Sequence, residues 1–426
     1  MQHQCVWEHN CKEPDPTTET LKQSLSVDVC VIGGGITGLS TALHLAEQGT
    51  SVCVLEAEQF AHGGSGRNVG LVNAGLWIPP DDIIDVLGEA DGERANAILG
   101  AAPKQLFDLV ERHQIQCDAT RSGTLHLAHN SKGVKELERR YQQFSQRGAP
   151  VTLQRDAECE RLVGSSRVPA ALLDERAGTI NPLAYTRGLA RAAQQAGARL
   201  FSQSAAQSLQ SETSGWVVPT AQGRVQAQQV VLATNAYTEQ AWNVVKQHYF
   251  PGHFFQVASE PLSGSAADAI LPDQQGCWDT RTVLSSLRKD VDGRLILGSL
   301  GRGDSKPQAF IKTWADRVQR HYFPQLGKVS WQCTWSGRIA FTPEHTLRVF
   351  SPANGLLAVT GYNGRGNTTG TVVGKGLSNY LLHGRDEDLP LPIRDSDPIT
   401  GVPIRSLAYE AGFSLYHAGQ CLRVLI

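Results

Sequence analysis

The sequence has no run of about 18 uninterrupted apolar residues, so no membrane-spanning segment is expected. It has no clustered lysines and arginines of the kind that suit nucleic acid, and its 426 residues carry a formal net charge of only −2. No C-x-x-C pair occurs: the nine cysteines are an odd and scattered set. That argues against a disulfide framework or a thiolate metal site and for a reducing compartment. The thirteen histidines form neither H-x-x-x-H nor H-E-x-x-H, so no metal is expected. The leader Met1–Leu25 lacks the basic start and apolar middle of a secretion signal and carries Glu8, Glu13, Pro14, Asp15 and Pro16 instead; a cytoplasmic protein is the expectation. Hydrophobic residues make up 41% and charged residues 19%, the balance of a globular fold. The length points to two domains rather than one small core.

What is present begins at Val27. Val27–Ile32 reads as a buried strand, Gly33, Gly35 and Gly38 form G-x-G-x-x-G, and Thr37–Gln48 reads as a helix with Leu39, Ala42, Leu43 and Ala46 on one face. Gly49 stops that helix, and Ser51–Leu55 is a second strand ending at Glu56. Each part has a mechanical role. Gly33 allows the tight turn, Gly35 lets backbone approach a pyrophosphate, and Gly38 lets helix and strand pack closely. The pyrophosphate rests on the helix N-terminus, and Glu56 stands where a carboxylate accepts the ribose hydroxyls. Glycines in a loop are weak evidence alone; strand, glycines, helix, second strand and terminal acid in this order make a dinucleotide site the stronger reading.

Downstream, Ala61–Gly75 is glycine-rich and polar. Helices are expected at Ala90–His113, broken near Gly100 and Pro103, and at Val134–Arg147 and Pro182–Ala196, the last leading into the strand Arg199–Phe201. Trp216–Pro219 and Arg224–Ala227 read as a hairpin and Val230–Ala233 as a separate short strand. Strands at Phe254–Ser259, Thr282–Leu287 and Arg294–Ser299 suggest an antiparallel sheet over a pocket. Leu356–Thr360 is a buried strand that runs into Gly361–Gly376 and a helix to Leu382; Ser406–Ile426 reads as a final helix. The pattern is α/β: a discontinuous Rossmann-like domain at 26–100, 160–236 and 335–390, an antiparallel-sheet substrate domain at 101–159 and 237–334, and an extension at 391–426.

Several segments admit a functional and a structural reading. Gly63–Asn68 is either a loop continuing along the cofactor or a surface loop, and its position after Glu56 favours the first. Gly361, Gly364, Gly366 and Gly370 let backbone approach a planar ring, and the helix starting near Thr368 would face an edge of that ring that becomes negative on reduction. Arg338 is either a cation for a substrate carboxylate or a surface ion pair. Arg288, beside a turn, reads as a solvated charge. Tyr249, His253 and Gln256 either line the pocket or pack elsewhere. Leu407, Phe413, Leu415 and Leu422 form an apolar stripe that either packs on the body or touches a membrane surface.

Together these elements resemble the D-amino-acid-oxidase-like flavoproteins, a family that includes glycine, sarcosine, γ-glutamylputrescine and L-pipecolate oxidases. The resemblance runs over most of Val27–Leu382 and rests on the opening fingerprint, Gly64–Asn68, Val231–Tyr237 and Gly361–Gly370. The stretches Trp278–Ser286, Gly361–Thr371 and Phe413–Arg423 are similar to the L-pipecolate-oxidising members. The resemblance implies FAD held by Gly33, Gly35, Ile36, Thr37, Gly38, Glu56 and Ala57. It also implies contacts from Gly64, Ser65, Gly66, Arg67, Asn68, Val69, Leu71, Ala206, Ala233, Thr234 and Asn235, and from Gly337, Gly361, Asn363, Gly364, Arg365, Gly366, Asn367 and Thr368. Members with covalent flavin place a cysteine near Gly337 or a histidine near Asn68. Neither is present, so non-covalent FAD is expected. The sarcosine-oxidase carboxylate lysine falls near Thr368 and the oxygen-activating lysine near Ile296, which leaves room for a respiratory acceptor in place of O₂. The expected activity is FAD-dependent C–N oxidation of a small secondary-amine acid, L-pipecolate above others, with Arg338 on its carboxylate. The alternatives are a γ-glutamylputrescine-type or other amine or D-amino-acid oxidase, and a non-catalytic flavin-binding or RNA-modifying partner.

Overall fold

In the computed structural model, which describes residues 1–213, 215–239 and 242–422, the first strand of the fingerprint runs Ser24–Ile32. Its early residues alternate exposed and buried, while Val29–Ile32 are covered on both faces, as in the centre of a parallel sheet. Five parallel strands lie in the order Arg199–Phe201, Val52–Leu55, Ser24–Ile32, Arg224–Leu232, Leu356–Thr360. The chain leaves Ser24–Ile32 toward one neighbour and fills the other side later, so a crevice opens at the carboxyl ends of these strands.

The helix Ile36–Glu47 follows the glycine turn. Gly33 has φ +114°, and a Cβ on Gly38 would stand 2.1 Å from the Gly33 carbonyl oxygen. The close helix–strand approach therefore requires glycine at both positions. A second helix, Gly366–His383, packs beside the first, and Leu39, Leu43, Val372, Val373 and Leu377 share one core. Leu106, Phe107 and Leu109 of the helix Ala102–Arg112 join that core.

Arg224–Leu232 is one strand, where two short ones were expected. Gln228 and Gln229 interrupt the apolar pattern but not the backbone: Gln229 pairs with Val29 in the same ladder that joins Arg224 to Ser24. Gly215–Pro219 pairs antiparallel with it, as the hairpin reading requires.

A second sheet of nine strands is mainly antiparallel and has Phe250–Pro261 between Trp331–Phe341 and Arg294–Leu300. Ala170–Asp174 belongs to this sheet. The strand expected at Thr282–Leu287 instead spans Ser285–Lys289. The Asp279 carboxylate accepts the N–H groups of Arg281 at 3.1 Å and Ser285 at 3.2 Å, which holds the intervening residues in a bend.

The leader is part of the body rather than a polar tail. Gln2–His3 adds parallel to Trp331–Phe341 at Cys333 and Thr334, and Cys5, Val6 and Trp7 are buried. Glu13, also buried, accepts from both arms of Arg191 at 2.9 and 3.0 Å. The final helix runs Val402–Cys421. Its expected stripe is split: Phe413 is buried, while Leu407, Leu415 and Leu422 are 72%, 74% and 75% exposed. The last four positions of the helix expected over Ser406–Ile426, 423–426, lie outside the described residues. Among the described residues no helix is long and apolar enough to cross a membrane, and no cluster of three metal-binding side chains occurs. All nine cysteines are free thiols.

Candidate active site

The carboxyl ends of the parallel strands open into one cavity of about 1570 Å³, above the roughly 300–1,000 Å³ of an ordinary small-ligand pocket. Two long helices start at its wall, at Ile36 and at Gly366, and neither has a side-chain cap. Apart from the Ile36 N–H, which the Ser65 hydroxyl accepts, their first-turn N–H groups and positive dipole ends converge on the same space. Glu56 is fixed at the rim: Oε2 accepts the Gly34 N–H at 2.7 Å and Oε1 the Glu58 N–H at 3.0 Å. Burial pushes its carboxyl pKa upward, against the lowering effect of those N–H groups. Its remaining lone pairs are available to hydroxyls.

Two loops meet across the middle of the cavity. The Ser65 hydroxyl accepts the Ile36 N–H at 3.1 Å. Asn68 and Asn367 exchange amide hydrogen bonds, each at 2.9 Å, stapling the glycine-rich loop to the start of the second helix. Asn235, at the end of its strand, accepts the Gly361 N–H at 3.1 Å. The Thr368 hydroxyl donates to the Asn73 carbonyl at 2.7 Å. A ribose-binding acid, two uncapped helix ends and a braced glycine loop along one continuous cavity fit a dinucleotide as long as FAD.

Beyond the loops lies an aromatic chamber. Arg365 is buried, with its guanidinium carbon 4.8 Å from the Trp278 ring centre and 5.5 Å from that of Trp77. No carboxylate pairs with it among the described residues, and its buried Nε has no partner. Burial pushes its pKa down to about 9, with the nearby Arg140 cation adding to the effect, so it remains a cation at neutral pH. Trp278 stacks on His126 at 4.9 Å and 25°. Burial holds His126 well below the usual imidazole range, and the Arg140 and Arg365 cations act in the same direction, so this ring is neutral. Arg140, by contrast, is satisfied: it donates to Glu136 at 2.8 Å and to the Trp77 carbonyl at 3.1 Å.

Of the residues expected from the sequence to hold cofactor or substrate, all line this cavity except Gly38, Gly66, Gly361, Gly370 and Tyr249. Gly38 does its work in helix packing. Tyr249 sits in the core with Trp242 and Val245. His253 reaches the cavity while its Nδ1 meets Glu410 at 2.7 Å. Gln256 lines it with a buried, unpartnered Oε1. Arg338 is exposed at the cavity edge, over the Tyr237 ring at 5.6 Å, and has no ion pair among the described residues. Ile296 is fully buried in a cluster with Trp7, Ala61 and Cys333. Arg288 is not solvated: its guanidinium donates to the carbonyls of Val69 at 3.0 Å, Gly70 at 3.3 Å and Ile180 at 2.8 Å, and to the Thr179 hydroxyl at 3.2 Å. Sequence reasoning missed Trp77, His126 and Arg140 as chamber residues. Only Trp278, inside the stretch Trp278–Ser286, carried a signal.

The family model described as "DAO: FAD dependent oxidoreductase" matches residues 28–380. The chain is 32% identical over 371 residues to gamma-glutamylputrescine oxidoreductase of Escherichia coli strain K12, covering 85% of each chain. It is 29% identical over 406 residues to the probable oxidoreductase OrdL of Haemophilus influenzae, covering 93% of this chain and 92% of that one. Among solved structures, glycine oxidase from Geobacillus kaustophilus superposes with a TM-score of 0.70 at 19% identity over 84% of this chain and 95% of its own. L-proline dehydrogenase from P. horikoshii does so with 0.69 at 21% identity over 87% and 95%. The fingerprint, the braced loops and the chamber therefore belong to a member of the DAO family of FAD-dependent oxidoreductases.

Proposed function

We propose that the protein oxidises the C–N bond of a small secondary-amine acid, L-pipecolate foremost, with the substrate carboxylate on Arg365. The observation that carries this reading is the buried, unpaired guanidinium between Trp77 and Trp278. An uncompensated buried cation is costly unless a ligand supplies the anion, and a guanidinium fork suits a carboxylate. The flanking indoles offer apolar faces to a saturated ring. Arg365 replaces Arg338 as the candidate because Arg338 is solvated, where an ion pair is worth little.

FAD, when bound, supplies the two-electron acceptor. The side chains hold the carboxylate, exclude water and keep the amine neutral. The carbon next to nitrogen, on the side away from the carboxylate, gives up a hydride and the nitrogen a proton, leaving a cyclic imine. Water then adds and opens it to an aminoadipate semialdehyde. His126, neutral and beside Trp278, is an acceptor for an amine N–H. FAD held without a covalent bond is part of this reading, since Gly337 and Asn68 stand where the cysteine or histidine nucleophile would be and no cysteine among the described residues lines the cavity; acid precipitation should leave a colourless protein pellet.

A γ-glutamylputrescine-type activity is the second reading, favoured by the 32% identity to the Escherichia coli enzyme of that name. Anaerobic bleaching of the flavin separates the two. L-Pipecolate should reduce it faster than γ-glutamylputrescine, L-proline or sarcosine. Faster reduction by γ-glutamylputrescine would overturn the first reading.

A further inference from the structure

The leader segment reaches the cofactor loop at one point. Trp7 is 1% exposed and its indole N–H donates to the Asn68 carbonyl at 2.9 Å. The next carbonyl, that of Val69, accepts from Arg288 at 3.0 Å, and Arg288 in turn lies over the Trp7 ring at 5.0 Å. The Gly70 N–H donates to the Asn68 side chain at 2.8 Å. The two carbonyls flanking Val69 are thus held by Trp7 and Arg288, neither of which lines the cavity. The bonds are trans, so C=O and N–H in each plane point in opposite directions. With the Asn68 carbonyl turned to Trp7, the Val69 N–H is turned the other way, toward the cavity that Val69 lines. That N–H has no partner in the chain among the described residues, and backbone donors in such places are rarely left unmet.

We infer that Trp7 is a positioning residue for the cofactor: it locks the Asn68–Val69 peptide so that the Val69 N–H is preset as a hydrogen-bond donor to bound FAD. The leader thereby completes the flavin site from a strap that also carries a strand of the substrate sheet, Gln2–His3. This inference concerns cofactor binding and is independent of which amine is oxidised.

Replacing Trp7 by Phe keeps a ring against Arg288 and Trp335, removes the indole N–H and leaves a small void where the larger ring packed. One neutral hydrogen bond is worth a loss of about threefold to tenfold in affinity. The dissociation constant for FAD, followed by flavin fluorescence, should rise by that factor in W7F. The visible band of the bound flavin should shift, and the melting temperature of the flavin-free protein should fall by no more than a few degrees, from the lost ring volume. An unchanged FAD constant and band in a folded W7F would overturn the inference. So would a loss of affinity matched by an equal loss of flavin-free stability, which would make Trp7 a packing residue only. Should W7F fail to fold, benzothienylalanine at position 7, which has the indole shape without the N–H, decides the matter by the same readings.

Discussion

Arg288 and Arg365 are both buried, and burial lowers the pKa of both, to about 10 and about 9. Arg288 is engaged by four backbone carbonyls, including that of Lys289 at its Nε, a threonine hydroxyl and an indole face. Arg365 has two indole faces and an unpartnered Nε beside an open chamber. A buried cation whose donors are all spent is scaffold. One whose donors are idle in a cavity is a receptor, because the cost of its desolvation is met only when an anion arrives.

The strongest test of the scaffold half is Arg288→Met. It leaves the carbonyls of Val69, Gly70 and Ile180 without their donor and should destabilise the fold by about 3–5 kcal/mol, seen as a lowered denaturant midpoint. A loss below about 1 kcal/mol would mean that water replaces the guanidinium and the contrast with Arg365 fails. Glu56→Gln removes charge from a carboxylate already held by two N–H groups. FAD should bind roughly tenfold to a hundredfold more weakly, while the FAD that remains bound reacts normally. Titration of the flavin-free protein measures this, and unaltered affinity would take Glu56 out of the ribose site.

Arg365→Met should do the opposite of Arg288→Met to stability. Relief of an unpaired buried charge should raise the melting temperature of the substrate-free enzyme by a few degrees, for a gain on the order of 1 kcal/mol. A clear fall would show that Arg365 is structural too. The smallest expected effect concerns reoxidation. Ile296 is packed among apolar side chains and offers no cation to a developing superoxide. Turnover with a quinone or dye should therefore exceed turnover with air. Stopped-flow reoxidation as fast as in dedicated oxidases would assign that charge to another cavity cation, Arg338 or Arg365.

The same two arginines show how far the sequence could be read. Arg288 stands next to Lys289, Asp290 and a turn, so its neighbours in sequence suggest solvent. Apart from the Lys289 carbonyl, its partners lie 108 to 219 positions away, beyond any local pattern. Trp7 was hidden for the same reason: a polar leader gives no sign that its indole meets Asn68, 61 positions on. The fingerprint was legible because strand, glycine turn and helix encode themselves over some thirty residues, and Gly33, Gly38 and Glu56 each have a local mechanical role. Strand limits moved where long-range pairing overrode composition, as at Gln228–Gln229, or where a side chain bent the chain, as Asp279 does. Arg338 and Arg365 each follow a glycine, so local sequence does not separate them; the first lies exposed in the strand Trp331–Phe341 and the second is buried before a helix. The apolar stripe of the last helix was split for a comparable reason, since Phe413 turns into the cavity wall while its helical neighbours face out.

Anaerobic flavin reduction by L-pipecolate and by piperidine, the same ring without its carboxylate, tests the role of Arg365 most directly. The wild-type enzyme should be reduced by L-pipecolate at least about a hundredfold more efficiently. Arg365→Met should lose most of that preference, with piperidine reduction little changed, because a desolvated charge pair of this kind is worth about 2–5 kcal/mol. A preference that survives intact in Arg365→Met would contradict the account and move the carboxylate to another residue.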